Sequence, residues 1–146
     1  MLELKSVMLC DAATVREGLL NVLGAGLTIF WRESFPAPLM ADVAVQFELV
    51  DVAVEETREI MIRVTGPNDD PALVFEAQMQ LVTMKSDENA PVQSVPIALN
   101  LRNAGMPSVG IYALHVLIDG DQVGSLSFEA RAGRAADEVP AHNPFG

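Results

Sequence analysis

The sequence predicts an all-β fold: an antiparallel two-sheet immunoglobulin-like sandwich of about 7–9 strands with at most one short helix. Three observations carry that prediction. Apolar and polar residues alternate with period two through most of the chain, as they do in half-buried strands. Clusters of Gly, Pro, Asn and Asp punctuate these runs roughly every 8–15 residues. Near the carboxy-terminal end, Gly110-x-Tyr112-x-Leu114 has the form of a tyrosine corner, in which a Tyr two residues before a core position folds its hydroxyl back onto the backbone. The first two observations also suit a barrel; the third favours the sandwich.

In chain order, Leu4 to Cys10 is a first candidate strand, followed by Ala12 to Glu17, which reads as a short helix capped by Asp11 or equally as a loop. Leu19 to Leu23 and Leu27 to Trp31 are short strands around the turn Gly24-Ala25-Gly26. In the second of these, Trp31 shares a face with Leu27 and Ile29 and is expected in the core, leaving Phe30 and Arg32 outside. Val43, Val45, Phe47 and Leu49 form the inner face of the clearest strand. Ile60, Ile62 and Val64 follow, then Leu73, Phe75, Ala77, Met79 and Leu81, then Ile97, Leu99 and Leu101. Tyr112, Leu114, Val116 and Ile118 lead through Asp119-Gly120 into Gly124 to Ala130, with Leu126 and Phe128 inward. Asp-Gly between two alternating runs is a strong hairpin signal, because a two-residue type I′ turn needs positive φ at both positions. Residues 1–132 are thus expected to form one domain, and 133–146, aperiodic and proline-containing, a mobile tail.

Composition narrows the function classes. Half the 146 residues are hydrophobic and 20% are charged, which fits a packed domain. The net charge of −11 opposes binding to phosphate backbones and anionic lipid, so neither nucleic acid nor a membrane is an expected partner. A basic n-region is lacking at the amino terminus, and apolar runs are cut by Asp11, Arg16, Arg32 and Asp42, so a soluble, cytoplasmic protein is expected. Cys10 is alone, without a cationic neighbour in sequence, and reads as a buried structural thiol.

Val7-Met8-Leu9-Cys10-Asp11-Ala12-Ala13, the run Gly18 to Gly26, and Gly110-Ile111-Tyr112 through Asp119-Gly120 to Phe128 together resemble a family of small uncharacterised bacterial β-sandwich proteins. The resemblance spans most of residues 5 to 130. It implies the fold and an intracellular setting; the family has no assigned activity, so the resemblance implies no site.

Chemistry is sparse. The histidines are His115, mid-strand opposite the Tyr112 face, and His142 in the tail, so a catalytic triad would have to be built on His115. No nucleophile elbow, P-loop, dinucleotide fingerprint or zinc-protease motif is present, and one Cys with two distant His cannot close a zinc shell. No enzyme and no cofactor are expected. Asn68-Asp69-Asp70 and Asp119-Gly120-Asp121 are acidic loops that would bind calcium or a small ligand if they met in space, although turns are built of the same residues. A hydrolase would need loop carboxylates in a pocket with His115. The leading expectation is a protein-binding or assembly module, meeting a protein partner or its own copy through an apolar outer sheet face. Candidate residues for that face are Phe30, Met61, Ile111, His115 and Leu117, with Val74 and Ala113 beside them. They are contiguous only if the strand of Met61 neighbours that of Leu117.

Overall fold

The computed structural model describes residues 1–67, 72–85, 89 and 92–134. Among them the chain forms eleven strands and no helix: β1 (Leu2–Arg16), β2 (Leu19–Ala25), β3 (Ile29–Arg32), β4 (Ala37–Pro38), β5 (Asp42–Val50), β6 (Glu56–Thr65), β7 (Leu73–Thr83), β8 (Val92–Asn100), β9 (Gly105–Met106), β10 (Gly110–Ile118) and β11 (Asp121–Ala132). One sheet has the order β2-β1-β5-β8, a second the order β3-β11-β10-β6-β7, and β4 pairs with β9 in a short ribbon. All pairings are antiparallel except β3 with β11, which is parallel. The chain reaches β3 by crossing from the first sheet to the second, so β3 is not bound to enter by a hairpin and lies alongside β11 in the same direction.

Both sheets bury their inward residues in one hydrophobic cluster. Leu9, Val43, Val45 and Phe47 come from the first sheet; Ile60, Ile62, Tyr112, Leu114, Val116 and Phe128 come from the second. Removing each such side chain from water contributes roughly 1.5–3 kcal/mol. Tyr112 is fully buried, stacks on Phe128 at 5.2 Å, and donates its hydroxyl to the Ser108 carbonyl at 2.6 Å while accepting the Ser108 N–H at 3.2 Å. The buried phenol is thereby satisfied by the turn that opens its own strand.

Three expectations change. Residues 12–16 are strand, not helix or loop: Ala12 to Arg16 pair with Leu23 to Leu19 across a two-residue turn, Glu17 and Gly18 having φ of 54° and 73°. Phe30, expected outside, is 5% exposed and packs edge-on against Phe128 at 5.4 Å, while Trp31 lies on the outer side beneath Arg131. Alternation assigns Phe30 and Trp31 to opposite faces without saying which is inner; register decides, placing Phe30 beside buried Ala130 and Trp31 beside Arg131. The third change is the β4–β9 ribbon, formed in two loops whose two-residue strands are too short to show a period.

A register shift between Leu4 and Ser6 explains the broken alternation of β1. Leu2 and Leu4 face the core before it, Val7 and Leu9 after it, and the extra residue Lys5 points to solvent. Beyond β11, Gly133 donates to the Arg32 carbonyl at 2.9 Å and Arg134 pairs with Glu33; residues 135–146 lie outside the described residues.

Candidate functional site

The outer face of the second sheet holds most of the predicted interface residues, and the sheet order brings them together. Leu117 lies directly opposite Met61, so the condition for contiguity is met. His115 lies between Arg63 on β6 and Ser125 on β11, Ala113 between Thr65 and Ser127, and Ile111 opposite Glu129. Ile111 is 55% exposed; Met61, Ala113, His115 and Leu117 are half-buried by their neighbours. Phe30 leaves the set, being in the core, and so does Val74: on the edge strand β7 it is half-buried against the core while Leu73, expected inward, is exposed, the β6–β7 register shifting beside them.

Ion pairs frame the apolar centre. Arg63 pairs with Glu76 at 3.1 Å and directs its Nη2 to Met61 Sδ, also at 3.1 Å; Arg131 pairs with Glu129 at 3.0 Å and covers Trp31 at 5.5 Å. These side chains satisfy one another and leave a face of nearly balanced charge on a chain of −11. His115 Nε2 stands 3.3 Å from Thr65 Oγ1, while Nδ1 is enclosed with no hydrogen-bond partner among the described residues. A general base needs a third group on that nitrogen to fix its tautomer and orientation.

Asp119 and the described flanks of Asn68-Asp69-Asp70 lie at opposite ends of β6. Asp119 closes the β10–β11 hairpin at one end of β6: its Oδ1 accepts the Glu59 N–H at 2.8 Å and its Oδ2 pairs with Arg58 Nε. The Glu59 amide and the Arg58 guanidinium hold its carboxyl below the ordinary aspartate value. Asn68, Asp69 and Asp70 lie outside the described residues, but their flanks, Gly66 and Ala72, are hydrogen-bonded to each other at the opposite end of β6. Along the strand these ends are about 20 Å apart at ~3.3 Å per residue. Asp121 is exposed at the start of β11, beside Asp119.

A second polar cluster sits where β1 leaves β5. Asp42, 7% exposed, accepts the Ala13 N–H through Oδ2 at 3.0 Å and forms an ion pair with Arg102 Nε at 3.4 Å; Arg102 also donates to the Asp11 carbonyl. β5 begins at Asp42, so beyond it the N–H of Ala13 has no strand partner on that side, and the carboxylate supplies one. Cys10 is fully buried beside it, its Sγ 3.5 Å from the Asp42 carbonyl. Burial, reinforced by the Asp42 and Asp11 carboxylates, pushes the thiol up. That is the setting of an unreactive cysteine. Among the described residues no group of three His, Cys, Asp or Glu is placed to hold a metal ion.

A model of a family of unknown function, DUF6941, matches residues 5–131, which takes in every strand but the first residues of β1 and the last of β11. The chain belongs to DUF6941. Both polar clusters and the outer face of the second sheet lie within the DUF6941 match. No curated protein matches the chain. Among solved structures, the chain is similar to Pseudomonas fluorescens alkylpurine DNA glycosylase AlkC bound to DNA containing an abasic site analog, at 12% identity and a TM-score of 0.49. The likeness covers 90% of this chain and 30% of that one, so the DUF6941 chain spans under a third of that protein's length.

The sequence shows β2 as a strand over Leu19 to Leu23 but not the arm that it forms with the second half of β1. Beyond Cys10 these strands pair only with each other, and Val15, Leu19 and Leu23 are 45%, 66% and 69% exposed. A signal was present in the chain: from Gly18 to Trp31 no side chain carries a charge.

Proposed function

We propose that this DUF6941 protein is a non-enzymatic, cytoplasmic sandwich of immunoglobulin type that serves as a protein-binding or assembly module. Its docking surface is the outer face of β10 and β6. The sandwich reading is supported by two sheets sharing one core and by the Tyr112 hydroxyl folded onto Ser108. No helix among the described residues is long and apolar enough to cross a membrane.

The observation that carries the docking reading is the register Leu117 opposite Met61. It places two long apolar side chains side by side on the inner strands of the sheet, toward the β10–β11 turn, with Ile111 at the other end of β10 and ion pairs on β7 and β11 beside them. An apolar centre inside a polar rim is the anatomy of a transient interface. Leu117→Glu, set against the Met61 position, would place an unpaired charge at that centre. The test is recovery of a stoichiometric partner from the native cytosol by the tagged chain, with and without Leu117→Glu. Loss of that partner by the variant is expected. Equal recovery by both chains would overturn the docking reading.

A further inference from the structure

We propose that the β1–β2 arm is a homodimerisation element: two copies pair antiparallel along the free edge of β2, with Asn21 at the twofold axis. This surface is separate from the face of β10 and β6 and does not depend on it.

β2 ends its sheet, and its outer side pairs with no described strand. Other sheet edges carry protection. β8 has Pro96 at its middle, β7 carries Glu76 in an ion pair, and β3 is four residues long and followed by a loop that Arg32 pins through the carbonyls of Pro38 and Leu39. β2, Leu19-Leu20-Asn21-Val22-Leu23-Gly24-Ala25, has no charge and no proline. It also projects with β1 beyond the rest of the sheet, and a two-stranded ribbon is marginal in water until a third strand joins it.

The partner is identified by self-complementarity. Arg16 and Leu19 close the two-residue turn and are therefore a hydrogen-bonded pair, so by alternation the N–H and C=O groups of Leu20 and Val22 point to the open edge. Antiparallel pairing about Asn21 sets Leu20 opposite Val22 of the second copy, and Val22 opposite Leu20, exchanging four hydrogen bonds. On one face it sets Leu19 against Leu23, Asn21 against Asn21, and Leu23 against Leu19. Every apolar side chain meets an apolar one, and the single polar residue meets itself. Gly24, at φ 64° under the Asp11 carboxylate, and the turn at Gly18 bound the ladder on either side. Charge points the same way: two copies of a −11 chain repel over most of their surfaces, and the Gly18–Trp31 run is free of that repulsion. An isologous contact of this kind closes as a dimer rather than growing into a filament.

The test is sedimentation velocity of the full chain across roughly 1–200 µM, the range that resolves a weak dimer, for the natural sequence and for Asn21→Asp, Asn21→Lys and their equimolar mixture. Across the twofold the two side chains would stand on Cα atoms about 4.5 Å apart. Each single variant is expected to dimerise at least about tenfold more weakly, and the mixture to dimerise again as a heterodimer, because like charges opposed across strands repel and unlike charges attract. Both variants keep the exposed position and the β1 pairing, so circular dichroism should match the natural chain. A chain that stays monomeric at the highest concentration overturns the proposal. So does a dimer unmoved by Asn21→Asp; if Leu117→Glu then breaks it, self-association belongs to the β10–β6 face instead.

Discussion

Two hairpins in this molecule share a turn geometry and differ in everything around it. Glu17-Gly18 joins β1 to β2 and Asp119-Gly120 joins β10 to β11, and all four residues have positive φ. The second hairpin is flanked by β6 and β3, buries Tyr112, Leu114 and Phe128, and has its turn tied to β6 by the Asp119 carboxylate. The first leaves its sheet after Cys10, exposes Leu19 and Leu23, and is held at its base by Asp42 and Arg102. Local backbone chemistry therefore makes the hairpin in both places. What packs against it decides whether that hairpin belongs to the core or stands free of it.

The contrast breaks most visibly on core truncation. Leu114→Ala should lower stability by about 2–5 kcal/mol, whereas Leu23→Ala on dilute protein should stay within about 0.5 kcal/mol. Urea unfolding of both variants measures the gap, and comparable losses would mean that the arm is packed. Next comes the clamp. Asp42→Ala leaves the Arg102 guanidinium and the Ala13 N–H without the carboxylate, a cost of about 1–3 kcal/mol. Hydrogen exchange should locate it: the amides of Ala12 to Arg16 and Leu19 to Leu23 exchange faster while those of β10 and β11 keep their protection. Uniform acceleration would show the clamp to be part of the global fold.

The turns themselves sharpen the comparison further. Gly18 and Gly120 have φ of 73° and 86°, and a Cβ at either meets open space, so an alanine there costs backbone strain alone, about 1–2 kcal/mol. Gly120→Ala should lower the urea midpoint by that amount. Gly18→Ala should leave the midpoint almost unchanged and appear only as faster exchange in the arm, since the arm opens without unfolding the sheets.

The embedded hairpin was legible in the sequence and the projecting one was not, for a physical reason. Tyr112, Leu114, Val116 and Ile118 alternate because one face is wet and the other dry, and Asp119-Gly120 announces its turn. Leu19 to Leu23 reads as a strand, but in Ala12 to Arg16 neither face is dry, so selection for burial leaves no period to mark its partner, and a Glu at the first turn position conceals the left-handed backbone that Gly18 only half reveals. Phe30 and Trp31 fail differently: alternation separates them, but the inner face is chosen by register with β11, a long-range fact. Of the candidate face, Met61, Ile111 and Leu117 were readable as outward apolar positions and His115 as an outward polar one; their adjacency needed the β6–β10 pairing. Asp119 was readable as a turn residue, while its engagement with Arg58 and Glu59 depended on that same pairing.

The smallest expected effect lies in acid, and it isolates what ties the embedded turn down. Asp119 is held below its ordinary value by the Glu59 N–H and the Arg58 guanidinium, so its carboxylate stabilises the folded state more than the unfolded one. The sign follows from linkage: that contribution is fully present above the unfolded value, about 3.9, and fades as pH falls through the lower folded value. Asp119→Asn keeps an oxygen for the Glu59 N–H but loses the charge facing Arg58, and its contribution has no such pH dependence. The two proteins should therefore differ in Tm by a constant amount from pH 7 down to about 4 and converge below it. The site is exposed and screened, so the difference is small, and 1 M salt should shrink it further. A gap that persisted unchanged at pH 2 would mean that hydrogen-bond geometry alone, without charge, anchors the β10–β11 turn to β6.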